Sequence, residues 1–335
     1  MIARSQPKIE PADWQHAQRM AYARPADLLA ALGLTAAEVG LSEAAAADFG
    51  FRVPGPWAAR IRPGDPQDPL LLQVLPVAAE TRPRAGFLAD PVGDLAAERA
   101  PGLLHKYRGR ALLLVTGACA IHCRYCFRRE FPYSDSVGTT RLEAALELLA
   151  AAPEIDEVIL SGGDPLSLRD ERLAALIARL AELPHLRRLR VHTRAPVAIP
   201  ARVTPALVDA LAGTRLASVV VLHVNHAQEI DAEVAAALRP LRAAGVPLLN
   251  QAVLLRRVND DAATLRALSM RLFEAGVLPY YLHLLDRVRG TAHFLVPTRR
   301  ARGLLRELRD TLPGYLVPKL VREEAGRASK TPVGS

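Results

Sequence analysis

From residue 110 onward, short apolar runs alternate with stretches in which apolar residues recur every three or four positions. The runs are ALLLV from 111, EVILSG from 157, LRRLRVHT from 186, SVVVLHV from 218, PLLNQAVLL from 247 and LPYYLHLL from 278, and each predicts a β-strand. Between them, Leu142/Leu146/Leu149, Leu173/Leu176/Ile177/Leu180 and Leu265/Leu268/Leu272 fall on single helical faces. Strict alternation of strand and helix predicts parallel strands with right-handed crossovers, and uniformly apolar strands predict a sheet covered by helices. Six such units make an α/β fold that is either a partial barrel or a doubly wound sheet. In a barrel the chemistry sits on the loops that follow the strands.

Residues 1 to about 100 differ, mixing short helical patterns such as PADLLAALGLTAAEVG with Pro/Gly-rich joints such as RPGDPQDP and FLADPVGD. The expected organisation is a helical N-terminal extension over 1–100, a barrel over 101–316 and a C-terminal segment over 317–335. Half of the 335 residues are hydrophobic and 23% are charged, which suits one large domain with a smaller companion. No apolar run reaches 18 residues, and MIARSQPKIEPADWQ lacks the apolar core of a signal peptide, so a cytoplasmic protein without a membrane partner is expected. The formal charge of +8 is spread through helices without a basic block, which suits a solvated Arg-rich surface and is equally compatible with anionic cofactors or an acidic protein partner. Charge alone decides nothing, and no nucleic-acid partner is expected.

Cysteine changes the picture. All three cysteines, Cys119, Cys123 and Cys126, lie in GACAIHCRYCFRR, directly after the first strand, at the spacing C-x3-C-x2-C. Three clustered cysteines make a poor disulfide framework. They can hold three irons of a four-iron cluster and leave the fourth iron open. A structural zinc site with His122 as fourth ligand is the competing reading, although such sites usually draw paired ligands from separate segments.

The C-x3-C-x2-C spacing, with Tyr125 before the last cysteine, resembles the signature of the radical S-adenosylmethionine (SAM) superfamily. That resemblance implies a partial TIM barrel, (β/α)6, in which SAM chelates the open iron of a [4Fe-4S] cluster and is cleaved to a 5′-deoxyadenosyl radical. SGGDPL at 161–166 resembles the family's glycine-rich motif, which implies that Gly162, Gly163 and Asp164 meet SAM. Read alone, the same residues make an ordinary strand-to-helix turn capped by Asp164.

Further stretches, in order from DPLLLQVLP at 68, narrow the resemblance to the lysine 2,3-aminomutase family: HKYRGR, VPLLNQAVLLRRVND, LPYYLHLLD and SKTPV. The resemblance implies that Lys330 holds pyridoxal 5′-phosphate (PLP) covalently and that Lys106 and Arg110 help hold its phosphate. It also implies that Gln251 contacts cofactor, that Arg128 clamps the substrate α-carboxylate, and that Asp286 and Glu323 receive the ε-ammonium of L-lysine. Glu323 replaces the aspartate usual in catabolic members, and no cysteine remains for the zinc-binding C-terminal segment of those longer enzymes. With PGLLHKY, CRYCFRR and GYLVPKL, these departures resemble the branch that supplies (R)-β-lysine for elongation factor P. That branch implies an external electron donor and a functional link to elongation factor P and its lysyl ligase. A mutase of free-lysine metabolism, or of another amino acid, is the alternative enzyme. A non-catalytic iron–sulfur or zinc regulator is the alternative from another class.

Overall fold

The computed structural model describes residues 13–334. Residues 1–12, most of the stretch behind the expectation of no leader peptide, lie outside them, as does Ser335. The fold is one ten-stranded sheet whose strands are neighbours in chain order. β1 (Glu98–Ala100) and β2 (Leu103–Tyr107) form an antiparallel pair that leads antiparallel into β3 (Arg110–Thr116). β4 (Glu157–Gly162), β5 (Arg188–Thr193), β6 (Ala217–Leu222), β7 (Leu248–Val253) and β8 (Leu278–His283) follow in parallel. β9 (Lys319–Arg322) continues the parallel set, and β10 (Thr331–Pro332) pairs back on it antiparallel. The six predicted strands are β3 to β8.

Helices Thr139–Ala150, Asp170–Glu182, Pro205–Ala212, Ala232–Ala243, Ala262–Glu274 and Thr298–Thr311 follow these six strands in turn. Their starts are fixed locally: Thr204, Asp231 and Asp261 accept the free amides of Leu207, Val234 and Thr264. Their apolar stripes then face the sheet, with Leu173, Leu176, Ile177 and Leu180 buried on one helix and Leu265, Leu268 and Leu272 on another. Alternate strand residues, among them Val158/Leu160, Leu189/Val191 and Val220/Leu222, complete this outer core.

The opposite parity of the same strands is more polar, presenting Glu157/Ser161, Arg190/His192 and Gln251. The sheet curls until its two ends meet: Tyr107 of β2 donates to Glu323 just beyond β9, and Lys106 lies 3.9 Å from the same carboxylate. Helices outside and a polar lumen inside define the partial barrel and set aside the doubly wound alternative.

Short helices such as Trp14–Arg19, Pro25–Leu32 and Pro69–Leu72 precede the sheet. Helices of this length do not stand alone. They hold because Leu28, Trp57 and Leu70 are buried in the same core as the barrel strands. Among the described residues no helix is long and apolar enough to cross a membrane.

Candidate active site

Three free, half-buried thiols, Cys119, Cys123 and Cys126, lie on the loop after β3. Burial pushes the Cys119 thiol well up and the Cys126 thiol to about 11, so either thiolate requires a compensating cation or metal. Arg52 opposes the shift at Cys119, and Arg128 and Arg129 oppose it at Cys126, while Arg194, after β5, donates to Cys123 Sγ at 2.7 Å and to the Tyr125 hydroxyl. His122 points elsewhere: its Nδ1 is 2.7 Å from the Gly50 carbonyl and its ring stacks on Phe49. The zinc reading therefore loses its fourth ligand. Among the described residues, no three His, Cys, Asp or Glu side chains converge into a ready-made metal site, so the loop offers its sulfurs without gathering them round a single ion.

A buried ion triad holds this loop in place. Arg124 donates Nε and Nη2 to Glu80 at 2.9 and 2.6 Å, and Arg129 donates Nη1 to the same carboxylate at 2.9 Å. All three side chains are at most 1% exposed. Glu80 carries no sequence signal, because only the fold brings a carboxylate of the extension between two arginines of the cysteine loop.

The SGGDPL turn packs on the root of the same loop. A Cβ on Gly162 would lie 2.3 Å from the Thr116 carbonyl oxygen, and one on Gly163 would lie 2.3 Å from that of Ala118. The glycines thus permit the close approach of two chain segments. Gly162 also holds φ at +132°, where a side chain is strained. Asp164 caps the next turn through Leu166, and accepts also from Thr193 at 2.7 Å and from the amides of Arg194 and Ala195 at 2.7 and 2.9 Å. Its carboxylate thereby ties β4 to β5, and burial raises its pKa.

Five of the charged residues singled out by sequence meet in the lumen. Arg128 donates Nε to Asp94 at 2.6 Å and Nη1 to Ser161 at 3.0 Å. Lys106 lies 2.5 Å from the other oxygen of Asp94. Lys330 donates to Glu323 at 2.7 Å, and together with the Tyr107 hydroxyl and Lys106 it holds the Glu323 carboxyl below its usual range against the effect of burial. Asp286, after β8, is pushed up to about 7 by loss of surrounding water, with Lys330 opposing and Glu323 reinforcing the shift. Arg110 sits at the opposite end of β3 with its guanidinium over the Tyr107 ring, 4.5 Å from the centroid.

Histidines 192, 223 and 283 were not singled out, yet all face this lumen near Lys330. Burial keeps each neutral near pH 7, with His223 lowered to about 3. Gln251 Nε2 lies 2.8 Å from His223 Nε2 and 3.5 Å from His192 Nδ1. The Nε2 atoms of His192 and His283 are buried without a hydrogen-bond partner. Histidine at or near the end of a strand was the available signal, seen in RLRVHT, VVVLHV and PYYLHL.

These features suit the implied groups. Three thiols on one loop match the donor set of an iron–sulfur cluster with an open corner. Lysines and an arginine match a phosphate, and two orphaned imidazole nitrogens match a polar ligand in the lumen.

The comparisons agree. The family model for the Radical SAM superfamily matches residues 113–268. The chain is 51% identical over 311 residues to the L-lysine 2,3-aminomutase of Escherichia coli (strain K12), covering 92% of this chain and 91% of that protein. It is 48% identical to the Haemophilus influenzae protein of that name, covering 96% of each chain. It is 39% identical to the Clostridium subterminale protein of that name, covering 83% of this chain and 67% of that protein. With half its residues shared across nearly the whole of two such relatives, the chain belongs to the L-lysine 2,3-aminomutase family of radical SAM enzymes.

Proposed function

We propose that the chain converts L-lysine to (R)-β-lysine by moving the amino group from C2 to C3. The observation that carries this reading is that one lumen holds Arg128, bound to Asp94, and apart from it two further carboxylates, Asp286 and Glu323, a polarity that suits an amino acid with an anionic head and a cationic tail. When bound, the [4Fe-4S] cluster with SAM supplies a hydrogen-abstracting radical, and PLP supplies the carbonyl that holds the migrating amino group. Cys119, Cys123 and Cys126 hold the cluster, Gly162, Gly163 and Asp164 shape the SAM side of the lumen, and Gln251 contacts cofactor. Lys330 attaches PLP, and Lys106 and Arg110 hold its phosphate.

Arg128 receives the α-carboxylate through paired N–H groups, and Asp286 and Glu323 receive the ε-ammonium. Lys330 must lose a proton to act as a neutral amine, and Glu323, 2.7 Å from its Nζ and held below its usual range, stays a carboxylate ready for the substrate's ammonium. Helices outside the barrel, and the extension whose Gln73 bonds Arg194 after β5 and Glu229 after β6, exclude water.

The product is read as the β-lysine attached to elongation factor P by a separate ligase, supported by the branch-specific phrases and by Glu323. An external electron donor and a reducing, cytoplasmic setting fit three free thiols. A substrate panel under anaerobic, reducing conditions tests the core reading: L-lysine should yield a β-amino acid, and L-glutamate and L-leucine should not. Loss of β-lysylated elongation factor P in cells lacking the chain tests the branch.

A further inference from the structure

Asp94 is one of the most buried acids of the chain, and it lies between two residues assigned to different ligands. Its Oδ2 accepts from Arg128 Nε at 2.6 Å, and its Oδ1 lies 2.5 Å from Lys106 Nζ, with the carboxylate only 3% exposed. Burial disfavours the anion, yet Arg128 and Lys106 hold the carboxyl below its usual range, so it stays charged. A guanidinium carries five N–H groups. Asp94 takes Nε and Ser161 takes one N–H of Nη1, which leaves the end-on Nη1/Nη2 edge for an incoming carboxylate.

The segment carrying Asp94 is itself anchored to the substrate-facing loops. Leu88 exchanges backbone hydrogen bonds with Arg287 and Arg289, next to Asp286, at 2.8 and 3.0 Å. Asp90 accepts the Asp94 amide at 2.9 Å, and Lys106 donates to the Val92 carbonyl at 2.8 Å. Gly93, at φ +68°, passes so close to Ala325 that a Cβ would lie 3.0 Å from that side chain. The carboxylate therefore keeps a fixed position relative to both Asp286 and Glu323.

We propose that Asp94 is a positioning residue that aims Arg128 at the substrate carboxylate and Lys106 at the cofactor phosphate, coupling the two anion sites through one shared carboxylate. This rests on the roles given above to Arg128 and Lys106. Stripped of its partner, a buried ammonium reorients or loses its proton and a buried guanidinium, which keeps its charge, reorients, and truncating one side of such a pair weakens binding by about tenfold or more. Both ligands are affected because both cations lose the same anchor.

The test uses the cluster-loaded full chain carrying Asp94→Asn or Asp94→Glu, with PLP titrated by absorbance, lysine KM and kcat measured separately, and thermal melting as a folding control. Asp94→Asn is expected to raise both the PLP Kd and the lysine KM by about tenfold or more, with kcat within about threefold. Asp94→Glu, which keeps the charge, is expected to restore both constants most of the way. In an Arg128→Ala background, Asp94→Asn should no longer change the lysine KM but should still weaken PLP. If Arg128→Ala alone raises KM while Asp94→Asn and Asp94→Glu leave both constants unchanged, or tighten them, the proposal is overturned and the Arg128 assignment stands. If Arg128→Ala leaves KM unchanged, the assignment beneath it fails, and the proposal with it.

Discussion

Lys330 Nζ donates to Glu323 Oε2 at 2.7 Å, so the lysine expected to carry the cofactor is paired with an acid expected to receive the substrate's ammonium. The consequence is a charge exchange. When Lys330 gives up its ammonium on attaching PLP, Glu323 is left with an unmatched negative charge, and an incoming lysine side chain supplies the matching cation.

Replacing Lys330 with alanine is therefore expected to remove the absorbance of lysine-bound PLP while leaving the iron absorbance intact. Replacing Glu323 with glutamine should keep both bands but raise the lysine KM by about tenfold or more, because a charged hydrogen bond becomes a neutral one. Ultraviolet–visible spectra of the reconstituted variants, followed by steady-state kinetics, check both outcomes.

Asp286 makes the site sensitive to pH. Its carboxyl is raised from the ordinary 3.8 to about 7 in the folded protein, so it is neutral below that pH and anionic above it. A cationic side chain needs the anion, so the lysine KM is expected to fall as pH rises through about 7, and Asp286→Asn should flatten that dependence. The folded state binds the extra proton, so the contribution to stability has the opposite sign: it is present at low pH and is lost as pH rises from about 4 to about 7. Kinetics and thermal melts over that range read the two slopes independently.

The barrel was legible because each of β3 to β8 is an apolar run long enough to stand out, and each is followed by a periodic helix. β1, β2 and β9 were not, since strands of three to five residues with charged members such as ERA, LLHKY and KLVR leave no run to detect, and β10 is a two-residue strand containing a proline. The site divides in the same way. Cysteine spacing and the family phrases marked the residues expected to touch cofactors and substrate. Glu80 and Asp94 escaped notice because a carboxylate among helical joints looks solvated until the fold buries it against two cations. Gly162 and Gly163 were noticed for a different reason from the one the structure gives, which is the approach of the cysteine loop.

Cys126→Ala is expected to abolish SAM cleavage and sharply reduce iron bound after anaerobic reconstitution. The variant should still fold, since the half-buried thiol makes no contact on which the core depends. Iron and sulfide assays, with 5′-deoxyadenosine quantified by chromatography, check this.

Glu80→Ala is expected to act through stability instead. It leaves Arg124 and Arg129 buried without their anion, a loss of about 3–5 kcal/mol for a broken buried pair. Denaturant unfolding of the cluster-free protein measures the loss, and weakened cluster retention should accompany it because both arginines lie in the cysteine loop.

The most direct measurement is product formation by the complete, oxygen-protected enzyme. With the cluster reconstituted, and PLP, SAM, reductant and L-lysine added, the chain should produce β-lysine, and the reaction should vanish on omitting SAM or on replacing Lys330. A protein that holds its cluster and PLP, cleaves SAM, and still returns only unchanged L-lysine would contradict the account.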